Sequence, residues 1–536
     1  MRCSELCCEV KRMSKIISST DAISLIRDNA VIGIGGFGGF SAPDEILREM
    51  AKSFFIHGSP KGLHVVSGIS PGDLTEDGCG LSIIREPGII ASIYAAHVGM
   101  SPAIGRAVSA NQIAGYTVPL GVYGQLLGAI AGKRPGVITR VGLHTFCDPR
   151  LEGCKVNEKA KESGRNVVSL IEFDGEEYLY YKSFPIDVCI IRGSYADEYG
   201  NVSLEEEAIY SEQNAMAAAV HSCGGTVIVQ VKWVSKRGGL DPRHVAIPGA
   251  LVDYVVQAKP ENHLQCYDGS PFRPELIGDV RMRLDMIRPM ELTPRKVCGR
   301  RAAFEINAGN LVNLGIGMPD SVASVANEEG VSHQVTFSIE TGVYGGVPVS
   351  GVGFGASVNP DAILPITDNI DIYDGGVLDA AFLGLGEIDE EGNVNVSKFG
   401  SRCTGPGGFI NITQNTPKVC FMGTFTAGKM ECRIGGGRLA IERDAPGVKF
   451  KKRVQQVTFS SRSALEKGQQ VLYITERAVF RLEKEGLTLT EIAPGVDLER
   501  DVLSKMEFSP RISPELRLMD ERIFHDKKMK ISFLSQ

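Results

Sequence analysis

The chain has 536 residues and a formal net charge of −7, from 57 Lys and Arg against 64 Asp and Glu. Hydrophobic residues make up 43% of the chain and charged residues 23%, a balance that excludes disordered and collagen-like proteins. The acidic net charge also argues against a non-specific nucleic-acid binder, because such a protein needs a basic face.

Residues 1–13 are interpreted as a leader that precedes the first domain. Their apolar stretches are too short for a signal peptide, and the sequence has no run of 18 apolar residues to span a membrane. The 13 cysteines include no CxxC pair and no close-spaced framework. This pattern favours reduced thiols in a cytoplasmic protein over disulfides or a metal site.

The first half of the chain alternates predicted strands and helices. Residues 30–35 (AVIGIG) form a continuous apolar run, which is typical of a strand buried on both faces. A glycine-rich turn and a helical pattern at 44–55 follow, and further strands are predicted at 63–68 and 89–95. This alternation predicts an α/β fold with a largely parallel sheet.

The turn after the first strand places Gly33, Gly35 and Gly38 in the pattern GxGxxG. A dinucleotide site would combine this pattern with an acidic residue about 20 positions further on, at the end of the second strand. The second predicted strand ends instead in Ser67 and Gly68. A nicotinamide-dependent dehydrogenase is therefore a minor alternative, and the loop is interpreted as a glycine turn that tolerates an anion.

The sequence contains an internal repeat made of two pairs of segments. These are 30–35 with 312–317 (VNLGIG) at an offset of 282, and 187–203 with 379–395 at an offset of 192. The second pair aligns Asp187 with Asp379. We therefore predict two related α/β domains, with largely parallel sheets, that arose by duplication.

The boundary between these domains is predicted near 288–296, where prolines and charges interrupt both periodicities. An N-terminal domain is expected over 14–289 and a C-terminal domain over 290–520. Residues 521–536 are interpreted as a tail.

The densest chemical signal lies at 335–360. Glu340 directly follows the predicted strand VTFSI and precedes Thr341 and Gly342. A carboxylate at the end of a buried strand lies where α/β folds place reactive groups, although it could equally cap a turn or pair with an Arg. Since no GxSxG motif is present, a carboxylate is the candidate nucleophile. The acidic run 389–391 is interpreted as a solvated turn.

Several long motifs resemble those of family I coenzyme A transferases. The chain is most similar to the fused-subunit acetate and propionate CoA-transferases, and it is also similar to the succinyl-CoA:3-ketoacid transferases. The motifs include GGFGGFSAPDEIL (35–47), PGVITRVGLHTFCDPRLEG (135–153), SIETGVYGGVPVSGVGFGASVNP (338–360) and GPGGFINI (405–412). The resemblance spans about residues 14–515 and implies two domains of the NagB/RpiA/CoA transferase-like fold.

The resemblance also implies a mechanism and its residues. Glu340 would attack an acyl-CoA thioester to give a mixed anhydride and CoA thiolate, which then form a glutamyl-CoA thioester and release the acid. A second carboxylic acid would reverse these steps, with no metal, nucleotide or permanently bound cofactor. Gly407 or Gly408 would bind the thioester by donating an amide to the oxyanion. The implied substrates are acyl-CoA and short-chain acids of fatty-acid or ketone-body metabolism, and the implied assembly is a homo-oligomer.

One position departs from the family pattern. The chain has Leu120 where family members commonly have Gln, so a side-chain donor near the reacting carbonyl is missing. Gln125 is a candidate substitute, and we expect the departure to affect rate or substrate choice. Two further alternatives remain open: an acyl-CoA hydrolase on the same scaffold, and a non-catalytic ligand-sensing protein.

Overall fold

The computed structural model of this chain describes residues 15–76 and 78–533. The leader predicted for residues 1–13 lies outside these ranges. Two large sheets dominate the fold, one in each half of the chain. No helix within the described ranges is both long and apolar enough to cross a membrane.

The first sheet has seven strands, and every neighbouring pair in it is parallel. The strands are β1 Val31–Ile34, β2 Leu63–Ile69, β3 Ile90–His97, β4 Ala114–Thr117, β5 Val188–Arg192, β6 Thr226–Val231 and β7 Tyr254–Gln257. Their order is β7-β6-β5-β1-β2-β3-β4. The strands predicted at 30–35, 63–68 and 89–95 are confirmed, and their apolar runs are buried because helices cover both faces.

The second sheet has ten strands, with a parallel centre, antiparallel pairs on both sides of it and one further parallel pair at one edge. The strands are β8 Leu311–Leu314, β9 Thr336–Ser338, β10 Val343–Tyr344, β11 Ala362–Ile363, β12 Ala380–Gly384, β13 Lys418–Met422, β14 Gln470–Ile474, β15 Ala478–Glu483, β16 Gly486–Ile492 and β17 Arg511–Leu518. Their order is β11-β10-β9-β8-β12-β13-β14-β15-β16-β17. The predicted α/β class with largely parallel sheets is confirmed.

Eleven α-helices in the described ranges pack around these sheets. They are α1 Ser19–Ser24, α2 Asp44–His57, α3 Pro102–Ser109, α4 Leu120–Ala131, α5 Glu158–Glu162, α6 Gln213–Ser222, α7 Pro294–Ala303, α8 Ser321–Glu329, α9 Ile366–Asp374, α10 Phe409–Asn415 and α11 Ser461–Glu466. One buried apolar cluster contains residues of both halves, so the two sheets share a core.

The remaining short strands form small sheets at the periphery. They are Gly136–Thr139, Val168–Phe173 with Glu176–Lys182; Tyr195–Asp197, Val202–Ser203, Trp233–Ser235 with Val245–Ile247; Val347–Pro348 with Ser357–Val358; Glu387–Asp389, Val394–Asn395 with Phe450–Lys451; Lys398–Phe399 with Arg402–Cys403; Thr426–Ala427 with Gly447–Val448; and Glu431–Gly435 with Arg438–Arg443. None of them interrupts the two central sheets.

The two halves repeat the same local architecture. The strand order β6-β5-β1-β2 in the first sheet matches β13-β12-β8-β9 in the second. The Val31 N–H donates to the Asp187 carboxylate at 2.8 Å, and the Leu311 N–H donates to the Asp379 carboxylate at 2.7 Å. The predicted correspondence between Asp187 in the first half and Asp379 in the second half is therefore confirmed.

The register shows that one predicted alignment is wrong by two residues. Ile32 lies opposite Val188, and Val312 lies opposite Ala380. Since Val188 and Ala380 differ by 192 positions, the first strands correspond at an offset of 280 rather than 282. A shift of two residues keeps every side chain on the same face of a strand, so hydrophobic pattern alone could not expose the error.

The turn at 389–391 is also different from its predicted, fully solvated form. Asp389 is only 3% exposed, and its carboxylate accepts hydrogen bonds from the backbone (2.9 Å) and side chain (3.2 Å) of Asn393. Asp197 makes the same two bonds with Asn201 in the first half. The aspartate thus stabilises a turn that occurs in both halves. The Asn donors compensate for the cost of burying its carboxylate.

Residues 521–533, at the start of the predicted tail, pack against the C-terminal half. Arg300 of α7 is fully buried, and its guanidinium donates to the carbonyl groups of Ile523 at 3.1 Å and Lys527 at 3.0 Å. Ile523 and Phe524 are themselves buried. The domain boundaries at 289/290 and 520/521 stay predictions.

Candidate active site

A cavity of about 190 Å³ lies where the carboxyl ends of the two sheets meet. The first half contributes residues that follow or end β1, β2 and β3: Phe37, Ile69, His97 and Met100. The second half contributes residues from β8 and β12, from the turn after β9 and from the loop before α10. Open α/β sheets bind ligands at this edge, so the cavity is the candidate active site.

Glu340 projects from the turn after β9 into this cavity. Its backbone is fixed from α9, where the Asn369 side chain donates to the carbonyl oxygens of Glu340 at 3.1 Å and Ile339 at 3.3 Å. The Tyr344 hydroxyl donates in turn to the Asn369 amide oxygen at 2.6 Å. This buried network sets the direction of the turn that carries Glu340.

The carboxylate of Glu340 has an apolar environment. Among the described residues that line the cavity, only Glu340 and His97 have a hydrogen-bonding side chain, and none is Lys or Arg. Burial raises the pKa of Glu340 to about 7, which its own backbone N–H opposes. Glu340 is therefore more basic than an ordinary carboxylate, and part of the population is protonated at neutral pH.

The loop 404–408 connects the two halves beside Glu340. Thr404 and Gly407 accept backbone hydrogen bonds from Val98 at 2.8 Å and Leu120 at 3.0 Å, and the Gly407 N–H donates to Ala96 at 3.0 Å. These three bonds anchor the loop to the carboxyl end of β3 and to the start of α4.

Gly408 lies directly against the Glu340 side chain. A methyl group at Gly408 would come within 3.2 Å of Glu340 Cβ and 3.3 Å of its carboxyl carbon, so a side chain there would push against Glu340. The Gly408 N–H has no acceptor among the described residues, whereas the Gly407 N–H is occupied by Ala96. Of the two predicted amide donors, the geometry favours Gly408.

Leu120 and Gln125 lie outside the cavity wall. Leu120 is the first residue of α4, and its side chain is buried. The Gln125 amide donates to Asp371 at 2.8 Å and Asp374 at 3.0 Å. The expectation that Gln125 replaces the missing Gln is therefore wrong, because its donor is already engaged between α4 and α9.

The glycine turn after β1 serves the contact between the halves. Phe37 of this turn lines the cavity, and a side chain at Gly39 would overlap the Val352 carbonyl at 2.3 Å. Burial raises the pKa of the Glu212 carboxyl group to about 7. The Gly36 backbone faces this carboxyl group and opposes the shift. A carboxylate in that place opposes phosphate binding, which disfavours the dinucleotide alternative.

The sequence analysis did not single out His97, although it lines the cavity. The sequence did carry a signal for this residue. Like Glu340, His97 is a polar residue at or next to the carboxyl end of a buried strand. Within ranges 15–76 and 78–533, no group of three His, Cys, Asp or Glu side chains could hold a metal ion.

The arrangement suits acyl transfer. It combines one basic carboxylate, an adjacent amide donor without a competing acceptor, and an apolar wall that strengthens electrostatic interactions by excluding water.

Comparison with known proteins agrees with this chemistry. The model of the coenzyme A transferase family matches residues 16–258. A caffeate CoA-transferase of Acetobacterium woodii is 45% identical over 520 residues, which cover 96% of this chain and 98% of that protein. The acetate CoA-transferase YdiF of Escherichia coli O157:H7 is 40% identical, with 96% of both chains covered.

A solved structure extends the likeness to the whole fold. The crystal structure of the acyl-CoA transferase YdiF from E. coli O157:H7, described as a thioester complex with CoA, has a TM-score of 0.91 at 38% identity and covers 98% of each chain. Likeness over nearly the full length of both chains includes the two halves and the cavity between them. This chain therefore belongs to the coenzyme A transferase family and is a CoA-transferase.

Proposed function

We propose that this enzyme transfers CoA between a short-chain acyl-CoA and a free carboxylic acid, through a covalent glutamyl-CoA thioester at Glu340. The position of the Glu340 carboxylate against Gly408, in an otherwise apolar cavity, carries the proposal. The thioester complex described for the YdiF relative supports it by analogy.

The proposed reaction is a ping-pong sequence. A carboxylate oxygen of Glu340 adds to the thioester carbonyl, and loss of CoA thiolate leaves a mixed anhydride. The thiolate then attacks the glutamyl carbonyl, which releases the first acid and leaves the glutamyl-CoA thioester. A second carboxylate attacks this thioester and reverses both steps, so the free energy of the thioester is conserved.

Two features of the site lower the barrier of these steps. The apolar wall raises the basicity of Glu340, which increases the nucleophilicity of its ionised form. We assign the Gly408 N–H, which has no acceptor among the described residues, as the donor to the oxyanion of each tetrahedral intermediate. Contacts with the body of CoA, realised after covalent attachment, offset the cost of the anhydride.

The lining favours small monocarboxylic acids such as acetate, propionate, butyrate or acetoacetate. Its apolar side chains suit an aliphatic group, and no described lining residue offers a cation to pair with a second carboxylate. Caffeate, the acid named for one relative, is a useful competing acceptor in the assays below because it is aromatic.

We further propose, from the family resemblance, a cytoplasmic homo-oligomer that acts on fatty-acid or ketone-body intermediates and has no permanently bound cofactor. Light scattering should give a mass at least twice the 57.7 kDa of the chain. A monomeric mass for the active enzyme would contradict this assembly.

The covalent intermediate is the decisive test of function. After incubation with acetyl-CoA, intact mass spectrometry should show a CoA-sized adduct that hydroxylamine removes and that maps to the peptide containing Glu340. Glu340→Gln should form no adduct and lose transfer activity, because an amide is not a nucleophile at neutral pH. Transfer at the normal rate without any adduct would exclude the mechanism.

The hydrolase alternative requires its own assay. A transferase given acetyl-CoA alone releases one acetate per active site and retains CoA as the glutamyl thioester, so it produces no continuous supply of free CoA. Continuous release of free CoA from acetyl-CoA without added acid would show a hydrolase instead. An acceptor series of acetate, butyrate, succinate and caffeate then ranks the acids, and we expect succinate to be the poorest.

The raised pKa of Glu340 predicts a pH dependence. Since only the ionised carboxylate attacks, kcat/KM should increase as the pH rises through about 7. The folded pKa lies above the ordinary 4.5, so the wild type should lose stability relative to E340Q as the pH rises from 4.5 to about 7. We expect E340Q to be more stable at high pH, by on the order of 2 kcal/mol in urea unfolding. An acid limb near 4.5 would contradict the burial argument.

Gly408 and Gly407 form a matched pair for testing the close contact with Glu340. Gly408→Ala keeps the N–H but places a methyl group 3.3 Å from the Glu340 carboxyl carbon, and displacement of the carboxylate should slow adduct formation by on the order of a hundredfold. Gly407→Ala meets only Ile69 at 3.6 Å but has φ +56°, so it should cost about 1 kcal/mol of stability with a smaller effect on rate. Equal rates of adduct formation in the two variants would contradict the importance of the contact between Gly408 and Glu340.

A further inference from the structure

His97 is the second polar side chain in the cavity. It ends β3, and apart from Glu340 it is the one hydrogen-bonding side chain among the described lining residues. The ping-pong sequence uses Glu340 and Gly408 and gives His97 no task. A polar group placed in an apolar wall costs free energy unless something bonds to it.

The local backbone fixes which nitrogen of His97 carries a proton. The Gly99 N–H donates to Nδ1 of His97 at 3.1 Å, so Nδ1 is an acceptor and the neutral ring carries its proton on Nε2. A methyl group at Gly99 would lie 2.6 Å from Cε1 of the imidazole, so glycine allows this close contact.

The ring is neutral in the pH range of the reaction. Burial, with a smaller contribution from the charge of Arg402, lowers the pKa of His97 to about 4. Above about pH 5 the imidazole is therefore an uncharged donor at Nε2. None of the described protein groups accepts a hydrogen bond from this N–H.

We propose that the Nε2–H of His97 donates a hydrogen bond to a neutral oxygen of the acyl-CoA in this cavity, and that His97 is a substrate-binding residue. The inference rests on the proposed function, because it requires an acyl-CoA in the cavity. The acceptor is either a carbonyl oxygen common to all acyl-CoA molecules, in the thioester or the pantetheine arm, or an oxygen on the acyl chain. A neutral donor recognises such an oxygen without attracting a second carboxylate.

The test compares two thioesters that differ by one oxygen. Wild type, His97→Phe and His97→Gln are assayed with butyryl-CoA and 3-hydroxybutyryl-CoA, with acetate as acceptor. Phe keeps a ring without a donor, and the amide of Gln restores an N–H near the position of Nε2. H97F should lower kcat/KM on the order of threefold to tenfold, and H97Q should recover part of the loss.

The pattern of loss identifies the acceptor. An equal loss with both thioesters assigns the bond to the shared part of the molecule, and a loss confined to 3-hydroxybutyryl-CoA assigns it to the acyl chain. The exposed His221 provides a matched control, and H221F should behave as wild type. His97→Met replaces H97F in the comparison if thermal unfolding shows that H97F does not fold.

Wild-type kcat/KM for H97F with both thioesters would overturn the inference, as would equal losses in H97F and H97Q. Adduct formation with butyryl-CoA separates this failure from that of the proposed function. If the wild type forms no adduct, the glutamyl thioester mechanism and this inference both fail. If it forms the adduct while H97F transfers normally, only the role of His97 is excluded.

Discussion

Three backbone hydrogen bonds between the halves make the active site possible. The loop 404–408 belongs to the second half, but it is bonded at both ends to Val98, Ala96 and Leu120 of the first half. That attachment holds the loop, and Gly408 with it, against the carboxyl ends of the first sheet. Backbone groups are well suited to this task because their geometry is fixed by the chain and leaves no side chain in the cavity. The site is therefore a property of the junction and of neither half alone.

The apolar wall has two opposite effects on Glu340, the proposed nucleophile. Burial raises the pKa of Glu340 to about 7, so the carboxylate gains basicity but loses part of its ionised population at neutral pH. A nearby cation would restore ionisation, but it would also reduce the basicity that the attack requires and would invite dicarboxylic acids. The described lining contains no such cation. Hydrogen bonds from Asn369 to the backbone instead hold Glu340 in place without touching its charge.

The sequence predicted those features that depend on local pattern. The buried strands and Glu340 at the end of β9 follow from apolar runs and from where parallel strands end. Residues whose role depends on tertiary contacts were harder to predict. Asp389 has the sequence of an exposed turn, but it is buried and accepts a hydrogen bond from Asn393. The side-chain amide of Gln125 donates to two aspartates of α9. His97 could be identified only from the packing of the two sheets, which brings the ends of β3 and β9 to one cavity.

The two halves differ at the position of the proposed nucleophile. Val31 pairs with His64, and its counterpart Leu311 pairs with Thr336, so counting four positions along each strand makes Gly68 the counterpart of Glu340. A side chain at Gly68 would meet Tyr123 at 3.1 Å and Leu120 at 3.5 Å, because α4 fills that space. In the first half, apolar side chains of α4 therefore fill the space at the end of β2. The edge of the first sheet contributes the apolar wall that faces the Glu340 carboxylate of the second half.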